Sequence, residues 1–283
     1  MIDKQELQQF IINALHEDVR AGDYSSLASI DKNAQGKARL LVKDNGILCG
    51  LEIAKAVFEN VDSNLKLEIH MEEGSQIKYG DVAFHVYGSA ISILTAERLV
   101  LNCMQRMSGI ATKTNEYVNA IEGTKAKVID TRKTTPNLRF LEKYAVTIGG
   151  GSNHRFGLYD MIMLKDNHID FCGGITKAVT KVKDYLKVNN LDLRIEVETR
   201  SLDNVKEALA CDGIHRIMLD NFVPEKVKEA VDLINGKYET EASGGITLET
   251  IRSFAETGVD FISVGALTHS VKSLDLSLKA EIN

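Results

Sequence analysis

The segment from Asp130 to His168, DTRKTTPNLRFLEKYAVTIGGGSNHRFGLYDMIMLKDNH, carries Arg132, Lys133, Arg139, Lys143, Arg155 and Lys165 together with His154 and His168. These cations are concentrated in a chain whose formal net charge is −6. Arg132 and Lys133 directly follow the apolar run KVID, and Lys165 follows MIML, both with the composition of buried strands. A cation at such a strand end points into a site, and a guanidinium beside an ammonium suits recognition of carboxylate or phosphate. Arg139 and Lys143, four apart on a predicted helix, read instead as a solvated face. The chemistry expected is that of an enzyme for a small, multiply anionic substrate.

Two further groups extend this reading. In IEVE, strand alternation sends Glu196 and Glu198 to one side, while Asp220 closes the next apolar run, RIMLD. Two carboxylates at adjacent strand ends, Glu198 and Asp220, suit Mg²⁺, which takes few protein ligands and keeps waters or substrate phosphates for the rest. Glu196 reads equally as a structural salt-bridge partner. Later, ASGGIT and VGALTHS place Ser243, Gly244, Gly245, Gly265 and Ala266 where exposed backbone N–H groups could approach a phosphate closely.

These residues need a scaffold, and the apolar rhythm supplies one. AKVID, DMIML, LRIEVE, RIMLD, YETEAS and DFISVG alternate with helix-like sequence at the spacing of βα units. Such a series predicts a parallel α/β barrel with ligands at the C-terminal strand ends, where these polar residues collect. Pro136 and Pro224, the only two prolines, are expected at helix starts. Upstream, residues 4 to 19 carry Leu7, Phe10, Ile11 and Leu15 at helical spacing, with Asp3 and Glu6 as a capping pair. GKARLLVKDNGILCG reads as two strands about a turn, and LKLEIH and DVAFHVYG as two more, so an α+β sandwich domain is expected. From Ser89 a helical pattern runs to a break at Ser108 and Gly109 and then resumes, predicting a helix pair. The fold expected is an incomplete parallel α/β barrel (111–270) preceded by an α+β sandwich domain with its connecting helix (1–110). Residues 271–283 are expected as a strand returning toward the first domain.

Composition excludes several classes. A chain of 283 residues with 44% hydrophobic and 26% charged residues has the content of an ordinary globular protein. Its acidic balance argues against nucleic acid as a partner. No apolar run approaches the roughly 20 residues of a membrane helix, and MIDKQELQQF lacks the basic and apolar blocks of a secretory signal. Cys49, Cys103, Cys172 and Cys211 show no metal-type spacing, and the histidines form no HxxxH or HExxH pattern. Reduced thiols in a cytoplasmic protein are expected, and a zinc enzyme is not.

DTRKTTP, GGGSNHRFGLYD and LKDNH in that order, with the further blocks LTAERLVLNCMQRMSGIAT, IEVE, MLDNF, EASGGIT and VGALTHS, closely resemble the quinolinate phosphoribosyltransferase family, over nearly the whole chain. Small departures are Asn137 after TTP, Leu99 after the ER pair and Ser25 after GDY. The resemblance implies transfer of phosphoribose from phosphoribosyl pyrophosphate to quinolinate with loss of CO₂, giving nicotinate mononucleotide for NAD synthesis. It implies that Arg132, His154, Arg155 and Lys165 hold the ring carboxylates, and that Lys133 and Mg²⁺ hold the pyrophosphate. Glu198 and Asp220 would lie near the metal and ribose hydroxyls, with the 5′-phosphate on Ser243, Gly244, Gly245, Gly265 and Ala266. It further implies that Arg98 crosses a subunit interface in a homodimer, with a hexamer also open; from composition alone Arg98 and Arg106 read as surface charges. Nicotinate phosphoribosyltransferase and a non-catalytic phosphosugar sensor remain as rival readings.

Overall fold

A computed structural model describes residues 2–281. In chain order the elements begin with α1 (Lys4–Asp18), α2 (Tyr24–Ser29), β1 (Gln35–Val42), β2 (Gly46–Ile47), α3 (Leu51–Val61), β3 (Lys66–Ile69), β4 (Gln76–Ile77) and β5 (Val82–Ser89). Then come α4 (Ala90–Ala120), β6 (Lys127–Ile129), α5 (Arg139–Ile148), β7 (Ile162–Leu164), α6 (Asp166–Cys172), α7 (Ile175–Val188), β8 (Ile195–Thr199) and α8 (Leu202–Leu209). The last are β9 (Arg216–Asp220), α9 (Pro224–Ile234), β10 (Glu239–Ser243), α10 (Ile251–Ala255), β11 (Phe261–Ser263), α11 (Ala266–His269) and β12 (Leu276–Ala280). They form two compact units: Met1–Asn115 with Thr135–Gly150 and Ser270–Asn283, and Glu116–Thr134 with Gly151–His269.

The first unit is built on an antiparallel sheet of order β12-β1-β5-β3. Alternation buries Ala38, Leu40 and Val42 of β1 on one face, against Phe84 and Val86 of β5. Phe58 of α3 meets Phe84 edge-on, ring centroids 6.0 Å apart, and each such ring contributes roughly 1.5–3 kcal/mol on burial. Asp3 caps α1 by accepting the Gln5 and Glu6 N–H groups, so Glu6 takes part through its backbone. β1 and β2 flank the expected turn but do not pair with each other. β2 pairs with β4, while β12 returns to lie antiparallel beside β1.

α4 is continuous through Ser108 and Gly109, contrary to the expected helix pair. Both residues are small because of what they touch, not because the helix breaks. A Cβ at Gly109 would lie 2.4 Å from the Lys272 carbonyl oxygen, and the Ser108 hydroxyl accepts the Cys49 N–H at 2.9 Å. Pro136 also departs from expectation: α5 starts three residues later, after Asn137 at φ 65°, whereas Pro224 does open α9.

The second unit holds six parallel strands in the order β6-β11-β10-β9-β8-β7, the incomplete barrel predicted from the apolar rhythm. Ile195, Val197, Ile217, Leu219, Ala242 and Ile262 form the buried alternate set, leaving Glu196, Glu198, Asp220, Glu241 and Ser243 on the opposite, inner side. Because the strands are parallel, their C-terminal ends share one edge.

Candidate active site

Along that edge, neighbouring strands deliver Asp130–Lys133 (after β6), Gly265 (β11), Ser243–Gly245 (β10), Asp220 (β9), Glu198 (β8) and Lys165 (β7). The segment after Gly151 joins them. Ser152 bridges Ile129 in parallel, and the fully buried Asp130 carboxylate accepts the His154 N–H at 2.8 Å. This fixes the backbone that carries His154 and Arg155.

Arg155 is only 9% exposed and donates Nη1 to the Met161 carbonyl at 3.2 Å. Burial lowers its pKa, and the nearby Arg132 guanidinium lowers it further. Arg132 Nε is itself buried without a hydrogen-bond partner among the described residues. Among the described residues neither guanidinium has a carboxylate in salt-bridge contact, although the charges of Glu196 and Asp160 partly offset the Arg132 repulsion at Arg155. Such a pair has the geometry and charge to receive a small carboxylate.

Lys133 and Gly265 form a second contact between neighbouring strand ends. The Thr268 hydroxyl donates to the Lys133 carbonyl at 2.8 Å, and a Cβ at Gly265 would lie 3.1 Å from Lys133 Cδ. Glycine there leaves room for the lysine side chain, which is exposed, as is that of Lys165. The Lys165 N–H donates to His168 Nδ1 at 3.0 Å, anchoring the turn into α6.

On the far strands, Glu198 accepts the Asp166 N–H at 3.3 Å. Its pKa is raised by burial and by the charges of Asp220 and Asp166, against the opposing pull of that N–H and of Lys165. A carboxylate destabilised by its own acidic neighbours is relieved by a cation, so Glu198 and Asp220 fit a Mg²⁺ ion. Asp220 also accepts from the Asn221 side chain at 2.7 Å. Asn221 turns left-handed, φ 58°, and donates its N–H to the Ser243 carbonyl at 2.8 Å. Gly244, at φ 101°, packs onto that turn: a Cβ would lie 2.3 Å from Asn221 Oδ1 and 2.9 Å from its N. Gly245 faces open space. α11 starts immediately at Ala266, whereas a Thr247–Thr250 turn separates Gly245 from α10.

Residues 23–108 match the family model for the quinolinate phosphoribosyl transferase N-terminal domain, and residues 110–279 match the one for its C-terminal domain. The chain belongs to the quinolinate phosphoribosyltransferase family. It is similar to the tobacco (Nicotiana tabacum) quinolinate phosphoribosyltransferase [decarboxylating] 2b, mitochondrial, at 46% identity over 98% of this chain and 82% of that one. The probable nicotinate-nucleotide pyrophosphorylase [carboxylating] of Bacillus subtilis is 44% identical, covering 98% and 94%. Among solved structures, NadC from Streptococcus pyogenes superposes with a TM-score of 0.93 at 42% identity, covering 99% and 97%. Human nicotinic acid phosphoribosyltransferase, at 10% identity and a TM-score of 0.61 over 96% and 73% of the two chains, shares the fold alone.

Beneath the strand ends, this quinolinate phosphoribosyltransferase family member fills its barrel with charge rather than with branched aliphatic side chains. Glu196 and Glu241 are fully buried; His154 Nε2 lies 3.0 Å from Glu196 and 3.4 Å from Glu241. Arg216 donates to Glu241 at 2.8 Å and to Glu239 at 3.0 Å, and its guanidinium stacks over Phe261 at 3.9 Å. His154, expected on a substrate carboxylate, thus has its ring turned toward two acids, with its side chain 6% exposed.

Burial opposes an imidazolium at His154, but Glu196 and Glu241 outweigh it and raise the pKa to about 9. The Arg155 N–H, donated to Nδ1 at 2.7 Å, argues against that second ring proton, since an imidazolium has no lone pair there. We therefore place the extra proton on the acids, where burial and the Glu241 charge raise Glu196 to about 7. On either placement the folded cluster keeps a proton that an unfolded His, pKa about 6.5, or Glu, about 4.3, has lost. With that proton on Glu196 the folded state binds more protons, so unfolding free energy falls as pH rises from about 4.3 to about 7, by at most about 1.4 kcal/mol per unit. Urea unfolding across this window should show that slope. Glu196→Gln should flatten it; an unchanged slope in the variant would remove Glu196 from the cluster.

Three residues of the first unit also depart from their sequence reading. Lys143, expected on a solvated face, is fully buried, and Arg139 is half-buried. Arg106 is no plain surface charge: its Nε and Nη2 donate to the fully buried Glu142 at 3.1 and 2.8 Å. Arg98 is exposed on α4 and lines a cleft of about 810 Å³ with Asn102, Arg106, Pro136, Asn137 and Glu142. It lies outside the second unit and is not among the residues gathered by the parallel sheet.

Proposed function

We propose that this chain is a decarboxylating quinolinate phosphoribosyltransferase whose active site is the C-terminal edge of the parallel sheet. The observation that carries this reading is the Arg132–Arg155 pair, two guanidiniums without a carboxylate in salt-bridge contact among the described residues, on the same edge as the acidic pair Glu198 and Asp220. The guanidiniums, with Lys165, neutralise the two carboxylates of quinolinate; His154 sets Arg155 by accepting its backbone N–H. Ser243, Gly244, Gly245, Gly265 and Ala266 receive the 5′-phosphate, and Lys133 neutralises the pyrophosphate. Mg²⁺, held through Glu198 and Asp220, supplies further positive charge to the leaving group when bound.

As the bond from C1′ to pyrophosphate breaks, Glu198 and Asp220 stabilise the positive charge developing on the sugar. The pyridine nitrogen forms its bond to C1′ and becomes cationic. Breaking the bond from C2 to its carboxylate then leaves an electron pair beside that nitrogen, which stabilises it until C2 takes a proton. The protein's contribution is mainly position and charge.

Incubation with quinolinate, phosphoribosyl pyrophosphate and Mg²⁺ should yield nicotinate mononucleotide, pyrophosphate and CO₂ in equal amounts. Turnover of nicotinate in place of quinolinate, without CO₂, would favour the monocarboxylate reading. Binding without pyrophosphate release would favour a sensor. Full turnover in EDTA without added metal would remove Mg²⁺.

The functional unit in this proposal is a cytoplasmic homodimer in which Arg98 of a second copy completes each site. Its support is the exposed position of Arg98 beside an open cleft. Mixing inactive Arg98→Ala and Glu198→Gln proteins should restore part of the activity. No recovery after subunit exchange would leave Arg98 without this role.

A further inference from the structure

A second group of ligand-type side chains lies on the sheet of the first unit, apart from the strand-end site. On the face of β3 and β5 opposite Phe84 and Val86, Glu68 pairs directly with His85 in the strand register. His70 follows Glu68 by two residues and so shares its face. Tyr87 stands two beyond His85 and opposite Lys37 of β1, while Arg39 of β1 lies opposite His85. His70 Nε2 and His85 Nδ1 are 2.6 Å apart, and a Glu68 carboxylate oxygen lies within 4.8 Å of both.

The surroundings aim these atoms. The Glu281 carboxylate lies 3.5 Å from His85 Nε2, which places the ring proton on that nitrogen and leaves the Nδ1 lone pair facing His70. Glu281 is itself held by Lys37 at 2.6 Å and Arg39 at 3.5 Å, so those two cations are already countered. The Tyr87 hydroxyl donates to Glu68 Oε2 at 2.6 Å, which leaves Oε1 without a hydrogen bond among the described residues. A carboxylate behind a histidine that turns its other nitrogen toward a second histidine and an acid is the outer and inner arrangement of a metal centre.

We propose that Glu68, His70 and His85 form a site for a transition-metal dication of the zinc class, with a fourth position open to water. Two imidazoles and one carboxylate match the nitrogen and oxygen donors such ions take. Bonds of about 2.0–2.1 Å in tetrahedral geometry set ligand atoms roughly 3.3 Å apart, so the imidazoles need separate only slightly to accept the ion. The ion would join β3 to β5 at the sheet's exposed edge strand, with the segment after β12 behind it through Glu281. The sequence conceals the site because its histidines come from two facing strands, with no short-range HxxxH spacing.

The test uses full-length protein stripped with EDTA, exchanged into buffer with excess Mg²⁺ to fill the strand-end carboxylates, and titrated with Zn²⁺ or Co²⁺. The expected result is one equivalent bound, a visible Co²⁺ spectrum of four-coordinate intensity, and a thermal midpoint that rises with Zn²⁺. His70→Ala and His85→Ala should each lose the spectrum and the midpoint shift while keeping transferase activity in Mg²⁺ buffer free of Zn²⁺ and Co²⁺. Glu281→Gln should bind about 10–100-fold more weakly, the usual effect of removing an outer-shell partner. His70 is exposed, so its variant is the arm least exposed to folding defects. Absence of Zn²⁺ binding by the wild type overturns the proposal, as does binding that both histidine variants leave unchanged.

Discussion

Arg132→Ala is expected to lower kcat/KM for quinolinate by roughly 30- to 4,000-fold, since truncating one partner of a desolvated charge pair costs about 2–5 kcal/mol and each 1.4 kcal/mol is a factor of ten. Much of the loss should appear as a higher KM, because the ring carboxylates carry their charge before the reaction as well as during it. Stability should move the other way. Arg132 presses a second guanidinium against Arg155, whose pKa is already lowered by burial and by that neighbour. Removing it relieves repulsion, so unfolding free energy should hold level or rise slightly, as is common where a site is built at the expense of the fold. Activity within about threefold of wild type would show that the ring carboxylates are held elsewhere.

Arg216→Ala should act on the opposite balance, lowering stability by about 3–5 kcal/mol, the usual consequence of leaving a buried charge unpaired. Glu241 is fully buried, and Arg216 donates to it at 2.8 Å. In the wild type burial raises the Glu241 pKa, but His154 and then Arg216 outweigh it and hold it down, so that carboxylate stabilises the fold above the ordinary Glu range and loses this on acidification. Without Arg216 it is better protonated. The deficit of the variant should therefore be largest near neutral pH and shrink as pH falls, which urea titrations at several pH values would measure. A uniform deficit would point to lost packing on Phe261 rather than lost charge.

The barrel was legible because its strands announce themselves. LRIEVE and RIMLD are short apolar runs whose alternation places Glu196 and Glu198 on one side, and the sheet contains them as β8 and β9. The same reasoning applied to YETEAS would have put Glu239 and Glu241 inside with Ser243, so the acid opposite His154 had a signal that went unused. Other features had none. Arg106 and Glu142 lie 36 residues apart, and neither spacing nor composition foretells their hydrogen bonds. Lys143 is buried although a lysine four residues after an arginine on a helix normally faces water. The helix break at Ser108 and Gly109 failed because small residues mark both chain reversal and close packing. Only the carbonyl of Lys272, 2.4 Å from where a Cβ would stand, separates the two cases.

The interlock of Asn221 with Gly244 joins the strand end that bears Asp220 to the loop that follows Ser243. Neither can shift without the other, so the two move as one rigid plate. No change of side chain at 221 can make room for a Cβ at 244, because the obstacle includes the Asn221 backbone and Gly244 is left-handed, so glycine is required there whatever stands at 221.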